Sequence, residues 1–315
     1  MNKKLTKLLT IGAIFLGSLS LGGCTEYSHA TGNHHYRTHY VRNYHHRNYT
    51  NGKNNGDDYQ SSKEISESLA NSVMTPNVKQ QLGGNIKYNG HGAFVINNNK
   101  STLNAKVNVA PYATNEVDRM GRPTVGNAFL NKTCRQYKNR QETGNGASDW
   151  KPKGFQQLSD LKGGYTHAYD RGHLLGYALV GGIKGFNASE SNPKNIATQT
   201  AWANEAGDKD NTGQNYYESI VRKALDKGKK VRYQVQDVYD GNNIVPSGAH
   251  IQAKSTDGSV NFNVFVPNVQ SNIKINYATG CAQVTQGNQV YQSTLRSIIV
   301  ITLSSKEIIL ESDGE

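Results

Sequence analysis

The stretch Tyr169-Asp170-Arg171-Gly172-His173-Leu174 puts a carboxylate, a guanidinium and an imidazole within four residues. Imidazole titrates near neutral pH, so His173 is the natural group to take a proton from water. The Arg171 guanidinium is planar, always charged and shaped to hold a phosphate. Asp170 reads as an internal partner of Arg171 that sets the local hairpin. Hydrolysis of an anionic ester needs an activated water, neutralisation of charge on its oxygens and help for the leaving alkoxide. A base beside a cation supplies two of these. Four residues alone could arise by chance. They gain specificity from a second segment about thirty residues downstream, the run from Ser191 to Asn204, in which Asn204 lies on a stretch that reads as a helix beside Trp202.

Taken together, these segments resemble the DNA/RNA non-specific endonucleases with a ββα-metal site, the DRGH nucleases. The variant is similar to the DNA-entry and secreted DNase branch of Gram-positive bacteria. The resemblance runs from about Ser72 to Gly280 and takes in Arg135 to Arg140, Glu142 to Gly146, His250 to Lys254 and Asn261 to Asn268. It implies an α+β fold, with a central antiparallel sheet, a ββα-metal finger and flanking helices. It also implies His173 as general base, Arg171 as its catalytic companion, and Mg²⁺ (Mn²⁺ as substitute) held directly by Asn204. A hard cation that keeps most of its waters needs only one amide oxygen to dock it. His173 must stay off the metal to remain a base.

Within the resemblance, Glu218 and Gln199 hold the ion through water, and Arg140, Arg135 and Asn195 contact substrate, Arg140 ahead of Arg135. Gly207 and Gly213 argue against one helix joining Asn204 to Glu218, so Glu218 is carried by its local sequence, Asn215-Tyr216-Tyr217-Glu218. Asn195 and Asn204 would lie on opposite faces of a single helix, so Asn195 must precede the helix, as Pro193 permits. His167 falls on the strand face of His173 by parity and reads as structural. His91 and His250 sit in strand-like stretches and read as satisfied structural histidines. Trp202 reads as core, and Tyr216 and Tyr217 read as core or base-stacking residues.

The elements that must position these groups can be read from hydrophobic period. Ile65, Leu69 and Val73 predict a short helix that ends before Pro76. Ile86 to Tyr88, Ala93 to Ile96 and Leu103 to Val109 predict strands, whereas Ala128-Phe129-Leu130 reads as helical and 118–162 otherwise as loop. Val231, Tyr233 and Val235 alternate as a strand that ends at the turn Asp240 to Asn243. Residues 249–254 and 260–266 form a pair about the turn Thr256-Asp257-Gly258. A last apolar strand is read at 298–303. Strands on either side of a helical middle favour α+β over repeated βαβ units.

The 315 residues carry 35 Lys+Arg against 24 Asp+Glu, a net charge of +11 that favours polyanionic partners. No recognition-helix pattern or RNA-binding aromatic motif is present, so contacts with DNA and RNA should run along the phosphate backbone. Residues 1–23 read as an export signal, basic at Lys3, Lys4 and Lys7 and then apolar. The end, Leu21-Gly22-Gly23-Cys24, resembles a lipoprotein box that would lipidate Cys24 and tie the protein to the membrane; the alternative is cleavage after Ala30 and secretion. Residues 25–64 form a His/Tyr/Asn-rich tail with six of the ten His, either a solvated spacer or a metal-binding tether. Residues 65–280 form the domain, and 281–315 an extension without counterpart in the resemblance. Cys134 and Cys281 could pair or stay apart. Two rival readings stand beside a nuclease: a surface nucleic-acid-binding protein without catalysis, and a His-rich metal-binding lipoprotein. The oligomeric state is not legible.

Overall fold

The computed structural model describes residues 63–146 and 149–285. The signal and Cys24, the His-rich tail up to Ser62 and the strand read at 298–303 lie outside the described residues. Two short helices open the domain, α1 (Glu67–Asn71) and α2 (Pro76–Leu82). The Ser66 and Thr75 side chains accept from the Leu69 and Val78 amides and so cap them. Pro76 begins the second helix rather than only ending the first, because a helix's first residue needs no amide donor.

The chain continues through four strands: β1 (Ile86–Tyr88), β2 (Phe94–Ile96), β3 (Tyr112–Val117) and β4 (Pro123–Leu130). Next come β5 (Tyr169–His173), α3 (Tyr177–Val180), β6 (Ile196–Thr200), α4 (Ala201–Glu205) and α5 (Gln214–Asp226). The last elements are β7 (Val231–Val238), β8 (Gly248–Ser255), β9 (Asn261–Pro267), β10 (Ile273–Ile275) and β11 (Ala282–Val284). The main sheet has seven antiparallel strands in the order β1-β2-β9-β8-β7-β4-β3. The fold is α+β, as the resemblance implies.

Two readings change. Ala128-Phe129-Leu130 is strand, not helix: β4 pairs β3 on one side and β7 on the other, so both its edges find partners. Leu103 to Val109 is not a strand; Leu103 and Ala105 are buried on alternate positions, but the segment makes no ladder. Its start is fastened instead by Gln252, whose Oε1 accepts from the Thr102 amide at 2.9 Å.

The core lies between this sheet and α5. Val231, Tyr233, Val235, Ile251, Val264 and Phe265 are buried from the sheet, and Val221 and Leu225 meet them from the helix. Trp202 and Tyr217 belong to the same core, Tyr217 packing against Phe262 with ring centroids 5.3 Å apart. A second cluster, Leu161, Ala168, Tyr169, Ile273 and Ala282, supports the start of β5, so the first residues past 280 are part of the fold. Cys134 is a buried free thiol, pushed up by its burial, and does not pair with Cys281. No helix among the described residues is long and apolar enough to cross a membrane.

Candidate active site

The Asp170-Arg171-Gly172-His173 motif is itself a strand. β5 pairs antiparallel with β6, placing His173 opposite Ile196, Arg171 opposite Thr198 and Asp170 opposite Gln199. Gly172 is required by this closeness: a Cβ there would come within 2.3 Å of the Gln199 Cβ. β6 passes directly into α4, capped by Thr200, whose hydroxyl accepts from the Ala203 amide at 3.1 Å. Two strands and a short helix thus carry His173 and Asn204 on one ribbon. His167 precedes β5 and is not on the strand face of His173.

His173 faces α5. Its Nε2 lies 2.9 Å from Glu218 Oε1. Gln214, Glu218 and Arg222 recur every four residues along α5, so they form one stripe on the helix. Gln214 Nε2 donates to the His173 carbonyl at 2.6 Å and to Glu218 Oε1 at 3.2 Å. Arg222 Nη1 reaches Glu218 Oε2 at 3.2 Å. Burial pushes the Glu218 carboxyl up, but the His173 imidazole, Arg222 and Gln214 together outweigh it and hold it below the ordinary glutamate value. Gly176 makes room for this carboxylate, since a Cβ there would sit 2.7 Å from Glu218 Oε2. Gln199 joins the same network through its Nε2, which donates to Gln214 Oε1 at 3.0 Å.

Asn204 is held from the other side. Its Nδ2 donates to Asp170 Oδ2 at 2.9 Å, and Asp170 Oδ1 lies 2.9 Å from His167 Nε2. The partners of Asp170 are therefore His167, Asn204 and Glu205, not Arg171. The Asp170 hydrogen bond holds His167 above the ordinary histidine value. Burial and the Asp170 charge push Glu205, on the same flank, up to about 7. Asn204 Oδ1 is buried and has no hydrogen-bond partner. A buried acceptor left so is a place where a cation or its water fits. The groups that the resemblance implies around a cation, this oxygen, the Glu218 carboxylate and the Gln199 amide, are all oxygen donors, which suit Mg²⁺ better than soft metals.

The other candidate residues divide. Arg171 Nε donates to the Trp150 carbonyl at 2.9 Å, with the guanidinium 5.7 Å from the Phe155 ring centroid. Arg140 reaches the Ala188 carbonyl and Glu190 and lies over the Tyr177 ring. Arg135 is corrected to a structural role: its nearly buried guanidinium bridges the Ala178 and Arg222 carbonyls and Asp226. Asn195 is likewise corrected. It is fully buried, its Oδ1 accepting from the Leu175 amide and its Nδ2 donating to the Leu175 carbonyl, so neither end remains for substrate. His250 is a buried partner of Asn263, whereas His91 is exposed in a turn rather than in a strand. Gln214, Arg222 and the Asp170 contact to Asn204 were not foreseen. The first two could have been, from their spacing about Glu218; the third depends on β5 and α4 meeting in space.

The fold and this site define a class. The family model for DNA/RNA non-specific endonucleases matches residues 90–298, and the chain belongs to that family. Among solved structures it is similar to NucA from Streptococcus agalactiae with magnesium ion bound. That match has 43% identity and a TM-score of 0.63, over 69% of this chain and all (100%) of that one. The same enzyme with no metal bound matches at 44% identity and a TM-score of 0.59, over 64% of this chain and 90% of that one.

Proposed function

We propose that this protein is an exported, Mg²⁺-dependent endonuclease that hydrolyses phosphodiester bonds of DNA and RNA without sequence preference. The observation that carries the reading is the pairing of His173 with a buried, ionised Glu218, on the ribbon that also carries the partnerless Oδ1 of Asn204. Asn204 Oδ1 would hold the cation, with Glu218 and Gln199 ordering its waters. Bound there, Mg²⁺ supplies charge neutralisation on the phosphoryl oxygens and an acidic water for the leaving group. Nε2–H of His173 donates to Glu218, so Nδ1 is the nitrogen that receives the proton of the attacking water. The Glu218 carboxylate then stabilises the imidazolium, as a buried acid does for a catalytic histidine. Gln214, bonded to the His173 carbonyl, keeps the end of β5 in place. Arg171 and Arg140 are the guanidinium groups offered to the substrate phosphates. The magnesium-bound neighbour supports the choice of cation, and Mn²⁺ has the same oxygen-ligand chemistry.

Export, and lipidation at Cys24 with residues 25–64 as tether to residues 65–280, remain part of this proposal and rest on the sequence. The test is plasmid cleavage by the purified chain with Mg²⁺, with EDTA and with His173→Ala. Cleavage in the first condition alone supports the reading; cleavage by His173→Ala at the wild-type rate removes it.

A further inference from the structure

Beside the catalytic ribbon lies a groove of about 180 Å³. It is smaller than the ~300–1,000 Å³ of pockets that enclose drug-sized ligands, and suits a single planar ring system. Ala197 of β6 lines it, and so do Ile196 and Thr198 on either side. The latter two stand opposite His173 and Arg171. The groove thus runs along the edge of β6, the strand paired with that of His173. Its walls include Trp150, Pro193 and Ile244, and Lys151 and Lys153 stand at its rim. Arg171 ties the two regions together through the Trp150 carbonyl. The third rim cation, Arg122, is neutralised by Asp118 at 2.6 Å. Among the described residues neither Lys151 nor Lys153 pairs with a carboxylate, so the positive charge offered here is theirs.

We infer that this groove is a nucleobase subsite: Trp150 stacks an unpaired base next to the scissile phosphate while Lys151 and Lys153 hold the phosphates that flank it. An aromatic wall with cations outside it is the arrangement that takes single-stranded nucleic acid, since every base has a π-face and every linkage a charge. An apolar slot without rim charge would fit many small molecules. The two lysines, at a groove along the strand paired with that of the base His173, select a nucleotide chain. The inference rests on the nuclease reading and adds to it a preference for single strands or melted ends.

Fluorescence can decide it. The chain has two tryptophans, and Trp202 is fully buried, so a change in emission on binding reports Trp150. The full chain carrying His173→Ala is titrated in EDTA with an eight-residue oligothymidylate and with a duplex of the same length. The expected result is saturable quenching by the single strand and much weaker quenching by the duplex. Trp150→Phe should lose the signal but keep affinity, and Trp150→Ala should bind roughly five- to hundred-fold more weakly. In the otherwise wild-type chain, Trp150→Ala should raise KM for single-stranded DNA while kcat holds, with buried Trp202 emission confirming the fold. Equal quenching by both probes, or unchanged affinity in Trp150→Ala, overturns the subsite. Plasmid cleavage without quenching removes the subsite alone; quenching without cleavage removes the nuclease reading and leaves only a groove that binds single strands.

Discussion

Asp170 Oδ2 accepts the Asn204 Nδ2 proton at 2.9 Å, and this contact decides which way the Asn204 amide is turned. An amide can turn over to exchange its oxygen and nitrogen. With the nitrogen fixed on Asp170, itself 2.9 Å from His167, the oxygen must point the other way. Removing Asp170 should therefore loosen the oxygen proposed to hold the cation.

Asp170→Ala should weaken Mg²⁺ activation by about 10–100-fold, as loss of groups that orient metal ligands commonly does. The measurement is the Mg²⁺ concentration for half-maximal cleavage, with a melting curve to show that the fold persists. An unchanged Mg²⁺ requirement would show that Asn204 needs no such support.

Asn204→Ala should abolish Mg²⁺-dependent cleavage while leaving thermal stability close to wild type. Its oxygen has no protein partner to lose, and its nitrogen makes one contact at the protein's flank. Retention of the wild-type metal dependence would assign the ligand to another residue.

Arg135→Ala should act on stability, not on substrate. It removes one donor each from the Ala178 and Arg222 carbonyls and from Asp226, a loss of about 1–3 kcal/mol. At ~2–4 °C per kcal/mol for a domain of this size, the melting temperature should fall by several degrees. KM for DNA should scarcely move; a large rise in KM with unchanged stability would return Arg135 to the substrate contacts.

Asp237 makes stability depend on pH. Burial pushes its carboxyl up to about 8, and its Oδ2 has no hydrogen-bond partner. The folded protein keeps this group protonated while the unfolded chain ionises it near pH ~3.9, so stability is lost as pH climbs from ~4 through about 8. Asp237→Asn removes the titration. Its melting temperature should exceed wild type by more than ~3 °C at pH 9 and match it near pH 4. Parallel wild-type and variant curves across that range would contradict the assignment.

Much of the middle of the main sheet was legible because its strands alternate between recognisable turns. Val231, Tyr233 and Val235 lie where the period places them, and the Thr256-Asp257-Gly258 turn joins β8 to β9. Three apolar residues in a row have no period, and Ala128 to Leu130 became strand because β3 and β7 flank them. Leu103 and Ala105 alternate truly, but burial without a ladder partner makes an extended segment rather than a strand. Within the site, His173 and Asn204 lie in contiguous motifs and could be found by reading along the chain. Asn195 lies in one of those motifs too, yet its two hydrogen bonds to Leu175 appear only once β5 and β6 are paired.

The central claim is that His173 supplies the base, and chemical rescue tests it most directly. His173→Gly opens a space beside Glu218 and should cut cleavage by at least ~10²-fold, the contribution of a positioned base. DNA affinity should be nearly unchanged, because it comes from Lys and Arg. Added imidazole should restore part of the rate in a saturable manner, more at pH values where it is neutral. Cleavage by a metal-loaded, folded His173→Gly at near the wild-type rate without imidazole would contradict the account.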